Sequence, residues 1–417
     1  MRMSKEKKVI HKGLVLVLLV LAIAIFAVMA VSMASLGYQS RIRAIRAEQE
    51  IAAREAADAG HDAAVFELNR LLDSWTGTLP QQNTPVSLPG GSQTYTYTVA
   101  PTAGVPAGLL ALDISAVGTA GNTLRTIFSR TVLFSVFNYA ILVKDNIDLK
   151  AKVVIDGYDS ADGTYGGTNS GFPVQIGTND DDQGDISLKV GVEAPDDSML
   201  IVGSGAIDDP GIVVDDKSDF QGDVVASLVE IPFPDVILSI DGLTNSGQLD
   251  VAMGDTVTVT AGAYLYDGIV VNKNATLQLE GDVIINVLSD GVLLKAGAKI
   301  IVQGTPDSSL EMYLAGNFNA MNGGDVINDT QDPTKMTLFG TSQCTSIILK
   351  NSSNFYGAIY APYALLDIRS SADMYGSFVG DSAIIHNSVQ FHYDIALQNV
   401  DPDDIGVGFV PTRWHEE

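Results

Sequence analysis

An uncharged apolar run from Leu14 to Leu36 limits the folds open to this chain more than any other feature. The run reads LVLVLLVLAIAIFAVMAVSMASL and is 23 residues long. A helix that rises about 1.5 Å per residue would cross the roughly 30 Å hydrocarbon layer of a bilayer with it. We therefore predict a transmembrane helix over residues 14–36, preceded by a cytoplasmic basic leader at residues 1–13.

The charges around the apolar run predict its orientation. Five basic residues precede it, namely Arg2, Lys5, Lys7, Lys8 and Lys12. Basic residues favour the cytoplasmic side, so we predict a single-pass protein of the inner or cytoplasmic membrane. The N-terminus would be cytoplasmic and the C-terminal domain periplasmic or extracellular. Arg41, Arg43 and Arg46 follow the run and oppose this orientation, whereas the size and acidity of the remaining chain favour it.

A cleaved secretory signal is the alternative explanation of the run. Ser32-Met33-Ala34 is a small-x-small triplet that signal peptidase accepts. The apolar run is longer than the roughly 7–15 residues of a signal core, and its helical pattern continues past the triplet. Both explanations export the rest of the chain.

Composition limits the partners of the exported part. Residues 131–417 contain 41 acidic and 12 basic residues, which predicts repulsion of nucleic acid and of anionic lipid. The chain has one cysteine, Cys344, so it cannot form an intramolecular disulfide. We expect this thiol to be buried and inert, because no histidine is its neighbour in sequence.

The helical pattern continues beyond the apolar run to about Trp75. Small and apolar residues recur at spacings of three and four, with charged residues between them. We predict an amphipathic extension over residues 37–75 whose seam packs against other helices. Together with a small-xxx-small pair in the membrane run, the seam consists of Ala30, Ala34, Ile42, Ile45, Ala52, Ala56, Ala59, Ala63 and Phe66.

The rest of the chain has the composition of β-structure. Residues 76–135 predict a linker followed by a small antiparallel β module, because alternating residues surround turn signals. Residues 136–398 contain many short β-branched runs closed by Gly, Asn or Asp, and residues 399–417 read as an acidic tail. Such repetition favours a right-handed parallel β-helix, in which apolar residues of successive coils stack. A β-sandwich is the alternative.

The layout of the N-terminus resembles the PilX-like branch of type IV pilus assembly proteins. Its elements are a basic leader ending in Lys12-Gly13, the apolar helix that begins at Leu14, and the segment AAREAADAG at residues 52–60. The resemblance implies that a prepilin-type peptidase cuts after Gly13 and that the helix packs in the core of a pilus. Major pilins have glutamate fifth in the mature chain, where this sequence has Leu18. This difference favours a minor pilin-like protein.

A second resemblance concerns the β-rich part. The segments are IDGYDS at residues 155–160, FYGAIYAP at 355–362, MYGSFVG at 374–380 and FHYD at 391–394. They look like a β-helical domain of unknown function that often follows PilX-type N-termini. This resemblance implies an architecture and a location, but no known chemistry.

Clustered acidic residues are the strongest sign of chemistry in the sequence. The densest cluster is Asp180, Asp181, Asp182 and Asp185, and Asp208-Asp209 with Asp215-Asp216 form another. Carboxylates of this kind serve polysaccharide lyases and glycosidases of β-helical shape, or bind calcium. Solvated acidic loops are the simpler interpretation. We expect no cofactor, with calcium at the first cluster as the one candidate metal.

Four tyrosines suggest a ligand surface. Tyr356, Tyr360, Tyr363 and Tyr375 would come together if coils stack, and tyrosine rows bind sugars or partner proteins. Packing within the core or its rim is the alternative. For His386 and His392, six residues apart, structural packing is favoured over metal binding.

These observations predict a non-enzymatic, membrane-anchored pilin-like protein. Its N-terminal helix would anchor the chain and pack with other pilin-like helices or pilus assembly components. Its exported β-helix would be a structural or adhesive module, with surface polysaccharide or protein as candidate ligands. The alternative is a membrane-anchored carbohydrate-active enzyme, either a lyase or a glycosidase.

Overall fold

The first element is one long helix, α1, over Glu6–Arg70. The computed structural model describes residues 6–72, 78–102, 111–203, 212–227, 230–304, 308–320, 323–369, 372–398 and 407–416. At about 1.5 Å per residue, the 65 residues of α1 span roughly 98 Å. Among the described residues it is the one helix long and apolar enough to cross a membrane. The prediction of a long apolar helix followed mainly by strands is confirmed.

An antiparallel sheet lies against the C-terminal half of α1. Its strands are β1 (Gln81–Ser87), β2 (Thr94–Pro101), β3 (Ala111–Ala120), β4 (Thr123–Ser135) and β25 (Val407–Glu416). The order across the sheet is β1-β2-β3-β4-β25, and every neighbouring pair is antiparallel. Its last strand comes from the C-terminus of the chain, so everything between β4 and β25 is an insertion into this sheet.

Two segments differ from their predicted structure. The acidic tail predicted for residues 399–417 contains β25, in which Val407 and Phe409 are buried and anchor the strand against β4. The linker predicted at the start of residues 76–135 contains β1, which adds an edge to the sheet. Both segments are rich in polar residues, so the strands depend on pairing with neighbours distant in sequence rather than on local pattern.

Small residues bring α1 close to the sheet. A stripe of α1 is buried there, comprising Ala53, Ala56, Ala57, Gly60, His61, Ala64 and Leu68, and Leu72 just after the helix is buried as well. The closest approach is at Gly118 of β3, where an added Cβ would lie 2.0 Å from the carbonyl oxygen of Ala53. His61 adds a polar contact, since its Nε2 lies 2.7 Å from the hydroxyl of Ser129.

Among the described residues, twenty strands of 3 to 19 residues form the inserted domain. The first eight are β5 (Ile141–Val143), β6 (Ile147–Leu149), β7 (Val154–Tyr158), β8 (Gln175–Thr178), β9 (Ile186–Leu188), β10 (Met199–Val202), β11 (Val213–Asp215) and β12 (Asp223–Ala226). The next six are β13 (Leu249–Val251), β14 (Thr256–Val271), β15 (Thr276–Leu294), β16 (Lys299–Val302), β17 (Ser309–Leu314) and β18 (Phe318–Ala320). The last six are β19 (Asp325–Asn328), β20 (Met336–Gly340), β21 (Ser346–Leu349), β22 (Phe355–Ile368), β23 (Met374–Ile385) and β24 (Gln390–Asp394). Short 3-10 helices cover Val136–Asn138, Ser160–Asp162, Pro333–Lys335 and Ile395–Gln398.

The strands of the inserted domain pair in parallel, as stacked coils. One column runs β14, β15, β17, β20, β22, β23, β5, β8, β10 and β12. A second runs β13, β14, β15, β18, β21, β22, β23, β6, β9 and β11. Parallel columns favour a β-helix-like arrangement over the β-sandwich, whose sheets are antiparallel. On a third face β15, β16 and β19 pair in parallel, as do β23, β24 and β7. Apolar side chains from all three faces fill the interior between them.

The stack does not follow the order of the chain. The chain enters at β5, in the middle, and proceeds to β12 at one end. It then crosses to β13 at the opposite end and returns coil by coil until β23 pairs with β5. At this junction Phe378 is in register with Ile141 and Ile385 with Leu149. The apolar ladder of the interior therefore continues across two segments that are far apart in sequence.

The crossing segment, residues 230–248, runs along the outside of the stack. Asn179 holds it at one point with two hydrogen bonds, donating to the carbonyl of Ile231 at 2.7 Å and accepting from its N–H at 3.0 Å. The buried hydroxyl of Tyr360 donates to the carbonyl of Pro234 at 2.6 Å. Farther along, Asn286 donates to the carbonyl of Ser239 at 3.0 Å. These contacts lie at β8, β22 and β15, which are three strands apart in the first column, and attach the segment along its path.

We predict that Gly118→Ala destabilises the contact between α1 and the sheet. The added methyl group would collide with the helix backbone, and overpacking of this kind costs about 1–3 kcal/mol. Urea unfolding of the full chain in detergent micelles, followed by circular dichroism, measures the loss.

The matched control is Gly37→Ala, where an added Cβ has nothing within 4 Å. In this control the higher helix propensity of alanine stabilises α1 by up to about 1 kcal/mol, so the urea concentration at the unfolding midpoint should stay the same or rise. Equal midpoints for both variants would contradict the close approach at Gly118.

Candidate functional site

The N-terminal half of α1 is an uncovered apolar surface. Fifteen large apolar side chains between Val15 and Leu36 are each more than half exposed. The predicted cleavage site of Lys12, Gly13 and Leu14 lies in the first turns of the helix, and its side chains lie outside the described part of the structure. An exposed apolar face of this size requires a cover of lipid or protein, because water solvates it poorly.

The predicted helix-packing seam is divided between solvent and the sheet. Ala30, Ala34, Ile45 and Phe66 are exposed, while Ile42, Ala52, Ala59 and Ala63 are half-buried. Ala56 is completely buried under the sheet of its own chain and is not available to a partner helix. The prediction at Ala56 is corrected, because Ala56 belongs to the stripe of small residues that packs against the sheet of its own chain.

A ladder of aromatic rings lies on one face of the inserted domain. Tyr356, Tyr375 and His392 occupy the same register position on β22, β23 and β24. The rings of Tyr356 and Tyr375 stack with centroids 4.3 Å apart, and those of Tyr375 and His392 are 4.7 Å apart. Tyr356 is half-buried and Tyr375 is 5% exposed. The ladder is therefore mostly packed rather than open.

The loop after β7 covers one end of this ladder. Tyr165 places its ring 3.9 Å from that of His392 and donates its hydroxyl to Asp156 at 2.8 Å. Asp156 also lies 2.6 Å from Nδ1 of His392 and accepts from the N–H of Gly171 at 3.2 Å. Burial, together with the hydrogen bond to Asp156, raises the pKa of Tyr165. This cluster, which the sequence did not predict, holds the loop closed over the ladder.

Tyr360 and Tyr363 lie away from the ladder. The structure corrects the predicted ligand surface at Tyr360, because its side chain is fully buried against the crossing segment. Tyr363 is 38% exposed, donates to Asp235 at 2.5 Å and has Nζ of Lys144 3.8 Å from its ring centroid. Of the four predicted tyrosines, only Tyr356 and Tyr375 come together.

The acidic cluster has one buried member, Asp185, next to the half-buried Asp180 and three exposed aspartates. Asp180 and Asp185, on the loop after β8, come close to Asp145, on the loop after β5 of the neighbouring coil. One carboxylate oxygen of each lies within 4.8 Å of the others. Asp181 and Asp182 are exposed on the same loop, with their N–H groups bonded to Asp180 at 2.8 and 3.3 Å. The sequence missed Asp145, because coil stacking brings it in from 35 positions before Asp180.

The electrostatics of Asp145, Asp180 and Asp185 differ from those of a fully solvated loop. Burial raises the pKa of Asp185 to about 6, and the charges of Asp180, Asp182 and Asp145 add to the rise. Burial, with Asp180 next to it, also raises the pKa of Asp145. The charged form of these carboxylates is therefore energetically unfavourable. A bound cation or protonation would reduce the repulsion between them.

The other groups considered for chemistry have structural surroundings. Nε2 of His386 lies 2.9 Å from Asp367, which Arg369 also binds. Cys344 is buried, and burial raises the pKa of its thiol to about 11. Asp215 and Asp216 are exposed, and Asp208 and Asp209 lie outside the described residues.

Comparison with known proteins gives a family match over part of the chain and a weak similarity to solved structures. Residues 234–400 match the model of a family described as a domain of unknown function, DUF7305. No curated protein matches the sequence significantly. Among solved structures, the chain is similar to the competence-associated pilin ComZ from Thermus thermophilus, at a TM-score of 0.28 and 12% identity, over 88% of this chain and 98% of that one. A TM-score this low supports no conclusion about fold or function.

We predict that Tyr165→Ala opens the loop after β7 without unfolding the domain. The variant loses both the ring contact with His392 and the hydrogen bond to Asp156, so amide hydrogen exchange at Gly157 and Gly171 should accelerate. Tyr165→Phe keeps the ring and is the matched control, with a smaller change. Unchanged exchange in Tyr165→Ala would show that other contacts hold the loop.

Proposed function

We propose that this chain is a single-pass membrane protein of the type IV pilus system, and specifically a minor pilin-like protein. The observation that carries the proposal is the division of α1: one continuous helix is uncovered and apolar in its first half and packed on an antiparallel sheet in its second. The first half would lie in the inner or cytoplasmic membrane and the second would hold an exported head. The N-terminus would be cytoplasmic.

The energetics of the uncovered half support an anchor. Burial of one large apolar side chain stabilises a state by about 1.5–3 kcal/mol, and fifteen such side chains lie between Val15 and Leu36. Lipid covers them fully. A bundle of equivalent helices covers them as well, which allows exchange between a membrane and a filament. Ala30 and Ala34 would let neighbouring helices approach closely.

The inserted domain would be the displayed part of the molecule. We propose that it is a right-handed parallel β-helix with a structural or adhesive role, and that its ligand, where it has one, is a surface polysaccharide or a protein. Its acidic surface disfavours nucleic acid. Tyr356, half-buried at the end of the ladder away from Tyr165, is the aromatic ring best placed to contact such a ligand.

We propose a non-enzymatic role for this domain. Asp156 and His392 are both buried, and Tyr165 packs over them. Arg369, the arginine that a lyase would need near its substrate, binds Asp367 in two hydrogen bonds. Depolymerisation of an acidic polysaccharide by the purified full chain, abolished by Asp181→Ala with Asp182→Ala, would instead establish the enzyme alternative.

The mature N-terminus tests the proposal. In cells with an active prepilin peptidase, we expect the chain to begin at Leu14, because the leader would be cut after Gly13. Mass spectrometry of the purified protein measures this, and a peptidase-deficient strain is the control, in which residues 1–13 should remain. Retention of the leader in both strains would remove the pilin assignment and leave a plain membrane anchor.

A further inference from the structure

Two neighbouring coils of the inserted domain form an oxygen-rich corner. Asp145 lies between β5 and β6, and Asp180 and Asp185 lie between β8 and β9 on the coil that stacks directly above. One carboxylate oxygen of each lies within 4.8 Å of the others. Three negative charges at this separation repel each other unless a cation or protons intervene.

Asp185 provides an independent sign that a ligand belongs at this corner. Its side chain is only 6% exposed, and its Oδ2 is buried without a hydrogen-bond partner in the structure. Buried carboxylate oxygens are normally hydrogen-bonded, paired with a base or bound to a metal. The backbone N–H of Asp182 also interacts with this carboxylate, so Oδ2 is the oxygen left without a partner. The same carboxylate belongs to the three-residue group, and a ligand held between the aspartates would supply the missing partner.

Basic side chains do not supply the missing charge. The nearest in sequence, Lys144, has its Nζ 3.8 Å from the ring centroid of Tyr363 and interacts with Asp381, Asp235 and Glu230. Within the described ranges, neither lysine nor arginine forms an ion pair with Asp145, Asp180 or Asp185. The compensating positive charge therefore comes from solution, as a bound cation or as protons.

We propose that Asp145, Asp180 and Asp185 bind one Ca²⁺. Calcium accepts hard oxygen ligands in flexible numbers of six to eight, so three carboxylates completed by water or main-chain carbonyls suit it. Mg²⁺ demands near-ideal octahedral geometry and keeps its water, which a corner between two coils favours less. The site differs from the one suggested by the sequence alone, because the group that contains the buried Asp185 includes Asp145 from the neighbouring coil in place of Asp181 and Asp182. This inference holds whether or not the chain enters a filament.

The position of the site gives calcium a structural task. The loop that carries Asp145 is also bonded to the preceding coil, since the N–H of Asp145 donates to the carbonyl of Asp381 at 2.8 Å. That contact belongs to the junction at which β23 meets β5. Calcium between the loops after β5 and β8 would therefore link the coils on either side of β5 and stabilise the stack beside its junction.

Calorimetric titration of the full chain in detergent micelles with CaCl₂, after removal of metals by EGTA, tests the site. We expect one site with a Kd of about 10⁻⁴–10⁻³ M, the range of extracellular calcium modules. Asp185→Asn and Asp145→Asn should each weaken binding by at least about tenfold. The matched control is Asp216→Asn, which changes an exposed carboxylate on the turn after β11. This variant should bind calcium as the parent does.

Thermal unfolding separates loss of the site from loss of the fold. In EGTA, Asp185→Asn should melt at or above the temperature of the parent chain, because it removes a buried unpaired charge. Calcium should raise the melting temperature of the parent but not that of the variant. Absence of binding in the parent, an equal loss in Asp216→Asn, or equal affinity for MgCl₂ would each overturn the proposed calcium site.

Discussion

The contact between the small residues of α1 and the antiparallel sheet determines the rest of this structure. Ala53 and Ala57 lie so close to β3 that Gly118 has no room for a side chain. Because α1 is one continuous helix, fixing its C-terminal half to the sheet fixes the direction in which the apolar half projects. The same sheet contains β4 and β25, so it also fixes both points at which the chain leaves for the inserted domain and returns.

This constraint is consistent with the unusual order of the stacked coils. A stack entered at one end and left at the other would separate its termini by roughly 43 Å, since ten strands are spaced about 4.8 Å apart. The sheet requires those termini to meet, because β4 and β25 are adjacent. Entry at β5, in the middle of the stack, brings the two termini of the inserted domain together. The hydroxyl of Tyr393 donates to the carbonyl of Phe137 at 2.7 Å, and the N–H of Ser160 to Asp394 at 2.9 Å, which ties exit to entry.

Sequence patterns predict the features that depend on neighbours along the chain. The apolar run from Leu14 to Leu36 predicts the helix, and runs such as Asp282–Val287 predict strands, because length and β-branched composition are local properties. The junction of Phe378 with Ile141 is not predictable in this way, since many apolar pairs would stack equally well. Asp145 is missing from the predicted acidic cluster for the same reason. Coil stacking, not sequence spacing, brings it to Asp180 and Asp185.

The central claim is that one helix holds an exported head at a membrane. The native Cys344 is buried, and its pKa is raised to about 11. Introduced single cysteines can therefore be labelled without a signal from the native thiol. A membrane-impermeant maleimide, applied to spheroplasts of a peptidase-deficient strain that keeps residues 1–13, should label Ser40→Cys before lysis and Ser4→Cys only after lysis. Phe26→Cys should stay protected in both. Labelling of Ser4→Cys in intact spheroplasts, or of Phe26→Cys at any stage short of denaturation, would contradict the claim.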